Sequence, residues 1–409
     1  MGVKKLLLIT VLLLSSVVLT GCLESVDLNK LGIVAGIAID KKTDDGYIVT
    51  VQILNPSAIV GEAPNTLPVY SLKAEGSSIH EAWSKLDSIT SSALYLSHLS
   101  VIVINEDFAK LGFSPLINFA LRHTDIRPDI AIVVAKDEKA GDILNVVTAL
   151  DMIPAAQLDI SSRISSHTPR LTISNLYEVV DIVNNNSINV VLNAVSIHHE
   201  EEHIDETIKR KDATSGHTTR NGSTIDNILD IARPVQLRIE HLAIFKGDKL
   251  VGFIDDYEAQ LYNMIMGESK RYVIVTKIDK DYYTSARVPK VKSKITTDLT
   301  NNEATIKLNI SAVIIENTYP IDLTNTDNLV VMSEYLKKQL EQDMNNFIQK
   351  IQKEMKSDIF GIGGKAYYHE NNVWKEKEGY WSEIFPEMKI NMEIEVDIDS
   401  VGEVGNVTL

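Results

Sequence analysis

The segment His199-Glu200-Glu201-Glu202-His203 sets two imidazoles four residues apart, with a carboxylate beside the first. This is the H-E-x-x-H spacing. On a helix it binds zinc through both rings while the glutamate polarises an attacking water. That chemistry needs an apolar helix face beneath the motif and a third protein ligand. Here the neighbours are acidic or polar, and no downstream His or Glu stands out in an ordered element. The segment reads as a solvated charged stretch. Gly361-Ile362-Gly363-Gly364-Lys365-Ala366 falls short of a phosphate loop. It lacks the four-residue gap and the hydroxyl after lysine that would hold magnesium, and it follows a helical pattern instead of a strand. It reads as a glycine helix stop with Gly361 near C′. No G-x-S-x-G elbow is present, and no Ser, His and Asp share a triad spacing. His98 and His241 read as edge or core histidines. Trp374 and Trp381, with Tyr367, Tyr368 and Tyr380, read as packing around the last strand and not as a ligand cage. The sequence therefore assigns no catalytic, cofactor-binding or metal-binding residue.

Cys22 is the only cysteine, which excludes an intrachain disulfide and a Cys-based zinc site. Its surroundings give it another chemistry. Lys4 and Lys5 open the chain, and Leu6 to Leu19 is almost wholly Leu, Val, Ile, Ser and Thr. This run has the length of a signal-peptide core and is short for a membrane span. It ends in Leu19-Thr20-Gly21-Cys22, which resembles a bacterial lipobox. In that pattern Cys22 carries diacylglycerol on its sulfur and becomes the first residue of the processed chain. Residues 1–21 are then a cleaved signal peptide. Lys4 and Lys5 leave with it, so the formal charge moves from −16 to −18. Such a body is repelled by nucleic acid and by anionic lipid. The acyl chains must supply the attachment, at about 0.8 kcal/mol per buried CH₂.

The 409 residues, 44% hydrophobic and 23% charged, allow two or three globular domains and exclude wholesale disorder. A mean hydropathy of −0.01 excludes a polytopic membrane protein. Strands are expected at Ile33–Ile39, Tyr47–Leu54, Val69–Ala74, Leu99–Ile104, Asp129–Ala135 and Ile188–Ile197. Helices are expected at Ser78–Ile89 behind a capping box, at Ser114–His123, Ala140–Leu150 and Ile173–Val183. This alternation defines an N-terminal α/β domain over 22–197. Residues 198–234 read as a polar linker with a short helix near Thr224–Ile231. A hairpin (Val235–Phe245, Leu250–Ile254), a helix from Asp256 to Met266 and strands at 272–277 and 282–295 give a middle α+β domain over 235–300. The last domain, 301–409, has a strand at Ala304–Glu316, a long helix at Asn328–Met355 and a closing strand at Lys389–Ile398. The long helix carries a stripe from Met332 through Leu336, Leu340, Met344 and Ile348 to Met355. The expected fold class is α+β, with mixed sheets flanked by helices in three domains.

Several stretches, in order, resemble one family: Leu31–Asp40 (LGIVAGIAID), Tyr47–Pro56 (YIVTVQILNP), Ser97–Lys110 (SHLSVIVINEDFAK), Leu116–Leu144, Leu242–Phe253 (LAIFKGDKLVGF), Ser357–Gly363 (SDIFGIG) and Trp374 through Trp381 to Phe385-Pro386. Together with the lipobox they resemble the Ger(x)C family, the lipoprotein C subunits of spore germinant receptors. Leu23-Glu24 departs from the Trp-Asp that members often carry after the lipidated cysteine. The resemblance implies a non-catalytic subunit without cofactor, lipid-anchored at the outer face of the inner spore membrane. Its partners there would be a multi-spanning A subunit and a transporter-like B subunit, with no nucleic acid involved. The complex would answer nutrients by triggering ion and dipicolinate release. The alternative is a free-standing solute-binding lipoprotein of a nutrient importer, which would bind a small nutrient without A or B subunits.

Overall fold

A computed structural model of the chain describes residues 31–198 and 236–400, together with Gly2 and less the short stretches 43–44, 62–65, 147–150, 164–167, 173–174, 185–187 and 269–270. Cys22, the His199–His203 motif and, beyond His198, the whole of the expected linker 198–234 lie outside the described residues.

The described residues form two sheets. The larger contains β1 (Leu31–Lys41), β2 (Tyr47–Leu54), β3 (Val69–Gly76), β4 (Ala93–Tyr95), β5 (Val101–Asn105), β6 (Ala131–Ala135), β7 (Val191–His198), β8 (Gln236–Lys246) and β9 (Lys249–Ile254). Its order is β3-β2-β1-β5-β6-β7-β8-β9, with β4 beside the start of β1. The central strands β1, β5, β6 and β7 are parallel, and antiparallel hairpins extend both sides. Parallel strands are covered on both faces, which explains their near-continuous apolar sequence. The two faces differ in side-chain size. Ile37, Ile39, Ile102, Ile104, Ile132 and Val134 build one core, and Ala38, Val101, Val103, Ala131, Val133 and Ala135 build the other.

The large face is covered by α1 (Ile79–Ile89), α2 (Glu106–Leu111) and α3 (Ser114–Arg122), the small face by α4 (Ala140–Ile143) and α5 (Pro154–Arg163). The small residues allow α5 to approach closely: a Cβ on Gly36 would stand 2.9 Å from that of Ala155. Buried polar side chains fix these short helices. Asp40 accepts from the backbone N–H of Ala140 and Gly141 at 2.7 and 3.0 Å. Gln52 donates to the Leu144 carbonyl and accepts from Ala155 N–H. The expected capping box of α1 is displaced by one residue. Ser78 Oγ accepts from Glu81 N–H as expected, but the Glu81 carboxylate reaches Ser77 N–H and its hydroxyl.

The second sheet runs β10 (Tyr272–Lys277), β11 (Tyr283–Asp298), β12 (Glu303–Asn317) and β13 (Lys389–Ser400), with β13 parallel to β12 and the rest antiparallel. β12 alternates as a half-buried strand should: Ala304, Ile306, Leu308, Ile310 and Ala312 point into the core. The parallel β12–β13 pairing demands a long crossover. The long helix, Thr326–Lys350, is its longest element and buries Met332, Leu336, Leu340, Met344, Phe347 and Ile348. The mixed α+β class expected from the sequence is what the structure has. The hairpin β8–β9 pairs with β7 and so belongs to the larger sheet. Val191, Leu242, Ile244 and Ile254 of that sheet share one core with residues of the second sheet and the long helix, so the two parts meet through an apolar joint.

Candidate functional site

The joint is closed by the segment that follows the long helix. A π-helical turn at Ile351–Met355 ends that helix, and Lys356 reverses the chain in the left-handed region (φ 51°). Gly361 therefore is not the stop that the glycine spacing predicted. It has φ 70° and stands directly before a new helix, Ile362–His369. The residue that does end the long helix is a lysine, whose type carries no such signal.

Between the two helices, Ser357 and Asp358 are almost wholly buried and bind in two directions. Toward the larger sheet, Ser357 Oγ donates to the Phe245 carbonyl on β8 at 2.5 Å. The Asp358 carbonyl accepts from Asn189 N–H at 2.9 Å. Asn189 Oδ1 in turn accepts from Gly247 N–H in the β8–β9 turn at 2.9 Å. Toward the C-terminal part, the Asp358 carboxylate accepts from Ile362 N–H (3.1 Å), Gly363 N–H (2.8 Å) and Trp381 Nε1–H (3.1 Å). It thus satisfies the open N–H groups of the new helix, a task Gly361 cannot perform without a side chain. Trp381 packs edge-on against Trp374, ring centres 5.1 Å apart, and both indoles are buried. The two indoles pack in the core as expected, but Tyr367, Tyr368 and Tyr380, expected beside them, are exposed.

Burial pushes the Asp358 carboxyl up to about 6, against the lowering effect of its hydrogen bonds from Gly363, Ile362 and Trp381. A carboxyl raised from 3.8 binds more protons in the folded than in the unfolded chain across that interval. Stability from this group is therefore present at acid pH and is lost as pH rises through about 4 to 6. The unfolding free energy of the wild type minus that of Asp358→Asn should fall by about 2 kcal/mol between pH 4.5 and 7, measured by urea titration. A difference that stays flat or grows with pH would contradict the assignment.

Beside Asp358 a cleft of about 430 Å³ opens between the two parts, with Lys246, Lys356 and Glu378 at its lining. The Asp358 carboxylate is engaged by three donors. The arrangement suits holding two bodies in register. Gly361→Ala should test that register. Its Cβ would meet Ile188 Cδ1 at 3.1 Å on a backbone that disfavours L side chains. The expected loss is about 1–2 kcal/mol in a denaturation experiment.

Two other polar groups draw attention. His123, against Phe119, Trp83 and His80, is lowered chiefly by burial, and its buried Nε2 has no hydrogen-bond partner among the described residues. His241 sits at φ 69° in β8, donates its backbone N–H to Asp256, and likewise leaves Nδ1 buried without such a partner. His98 is exposed near Tyr95. Among the described residues no three His, Cys, Asp or Glu stand together as metal ligands, and no helix is long and apolar enough to cross a membrane. In the sequence, Ser357–Gly363 stands out only as a stretch of family resemblance, and the role of Asp358 is not legible there. An acidic residue just ahead of a Gly-rich helix start was the available signal.

Fold and site define an α+β protein of two sheets held at a buried joint. Two family models match the chain in order: the spore germination protein N-terminal domain over residues 24–197, and the spore germination B3/GerAC-like C-terminal region over 240–402. Spore germination protein KC of Bacillus subtilis (strain 168) is 26% identical over 98% of this chain and 97% of its own. Spore germination protein B3 of the same organism is 23% identical over 95% and 96%. The crystal structure of the GerBC protein shares the fold, with a TM-score of 0.53 and 19% identity over 89% of this chain and 97% of that one. The chain belongs to the Ger(x)C family of spore germination proteins.

Proposed function

We propose that this protein is the lipid-anchored C subunit of a nutrient germinant receptor, acting without catalysis as a scaffold that couples its membrane partners. The observation that carries the reading is the end-to-end match of both family models, in order, behind a lipobox ending at Cys22. The buried joint supports it: hydrogen bonds on both sides of Asp358 tie one sheet to the other, so a force on either body reaches its neighbour. In this reading the processed chain starts at Cys22 and sits on the outer face of the inner spore membrane. A multi-spanning A subunit and a transporter-like B subunit are its companions.

Spores lacking this chain should lose the response to at least one nutrient, and an affinity-tagged chain should bring down two membrane proteins of those types from detergent-solubilised spore membranes. Spores that germinate normally on every nutrient tested, with the tagged chain recovered alone, would contradict the proposal. Calorimetric binding of a nutrient to the chain without those companions would favour the solute-binding alternative.

A further inference from the structure

One end of the larger sheet carries an apolar rim. β1 and β2 are antiparallel, with Val34 opposite Ile53, and Leu54 pairs with Val69 of β3. The β2–β3 connection therefore leaves the sheet at the end where β1 begins. On that connection Ile59, Val60 and Leu67 are 47%, 68% and 70% exposed. Two further exposed apolar groups lie at the same end. Tyr95 stands opposite Ile33 on β4. Met152 precedes Ala155, whose N–H is held by Gln52 near the end of β2. In a chain that is 23% charged, Asn55–Ser71 contains Glu62 as its one charged residue. Large exposed apolar groups gathered at one end of a sheet point to a contact surface.

We propose that this end of the sheet rests on the bilayer, with Ile59, Val60 and Leu67 seated among the lipid headgroups. The inference rests on the acylation of Cys22 in the functional reading above. Nine residue steps separate Cys22 from Leu31, which reach about 32 Å at full extension. β1 begins at the rim end, so that end of the sheet is the one nearest the anchor along the chain. The opposite end, at the β1–β2 turn, lies about 26 Å further along the eight residues of β2. Charge favours the same orientation. The acidic body is repelled by anionic headgroups, and the Asn55–Ser71 connection, with Glu62 as its one charged residue, approaches them at small electrostatic cost. Apolar side chains at that level gain by leaving water, as those of interfacial segments do.

The test uses the full acylated chain with one introduced thiol, Val60→Cys or Asp45→Cys, labelled with bimane. Asp45 is exposed at the opposite end of β2. The labelled proteins are mixed with phosphatidylethanolamine/phosphatidylglycerol vesicles carrying headgroup-level nitroxide lipids. Quenching at position 60 should exceed that at 45 at least threefold, in vesicles that contain no other protein. Equal quenching, with the protein still floating with the vesicles, would overturn the orientation and leave the anchor intact. Failure of the unsubstituted protein to float would overturn both. Protection of position 60 only in spore membranes, and not in lipid vesicles, would assign the rim to a membrane protein and overturn the lipid contact.

Discussion

Replacing Cys22 with alanine is expected to shift the protein from the membrane to the soluble fraction and to slow germination on at least one nutrient. The size of the effect follows from the anchor. Each buried CH₂ contributes about 0.8 kcal/mol, and two acyl chains hold where one myristoyl chain holds only marginally. Among the described residues no helix is long and apolar enough to replace them. The body carries a formal charge of −18 after removal of Lys4 and Lys5, and such a surface is pushed away from anionic lipid. The apolar rim alone would give weak, reversible contact. Tethering also makes docking to membrane companions nearly intramolecular, and its loss lowers avidity by a factor on the order of 10² to 10⁴. Since an unprocessed Leu6–Leu19 segment could itself retain the chain, the substitution belongs behind a secretory signal cut by the general signal peptidase. Fractionation of spore membranes and the rate of dipicolinate release check it. Full retention and wild-type kinetics in that variant would contradict the prediction.

The second large effect is at the joint. Asp358→Ala should destabilise the protein by about 2–4 kcal/mol at pH 7, since a buried donor left without an acceptor costs about 1–3 kcal/mol and three are left here. The substitution leaves the N–H groups of Ile362 and Gly363 and the Trp381 indole without their acceptor, inside a site 2% exposed. Orphaned buried donors of this kind carry the full desolvation penalty. Asp358→Asn keeps one acceptor and should fall between alanine and wild type. Because Trp374 and Trp381 pack beside the carboxylate, indole fluorescence during urea unfolding reports on the event directly. An alanine variant within 1 kcal/mol of wild type would show that the carboxylate is not what holds the joint.

The elements that the sequence made legible are those with one strong period. β1 and β2 read as strands because parallel or central strands are apolar on both faces, and the long helix read as a helix because its buried residues recur from Met332 to Ile348. α5 escaped notice for the opposite reason. It packs against Gly36 on the small-residue face, so its buried positions are Pro154, Ala155, Leu158 and Ser162, helically spaced but with Leu158 as the one large apolar side chain. The helix expected over Ala140–Leu150 is described only as Ala140–Ile143, held by Asp40 from a strand a hundred residues away. Tertiary hydrogen bonds of that kind leave no local mark. The joint was misread at Gly361, where glycine stands before a helix and Lys356 makes the turn. The pairing of β7 with β8 across residues 199–235 is likewise a choice between distant segments. As for the site, the chemistry proposed for Cys22 rests on the composition around it, which lies outside the described residues. Asp358 announces nothing until the helix it caps has been seen.

The central claim is that this protein is fastened to a membrane through its processed first residue. Tandem mass spectrometry of the N-terminal peptide, taken from protein extracted from spore membranes, tests that claim most directly. The account predicts a peptide that begins at Cys22 and carries a diacylglyceryl group on sulfur. A peptide that still contains Gly21, or one that begins elsewhere with a free thiol on Cys22, would contradict it.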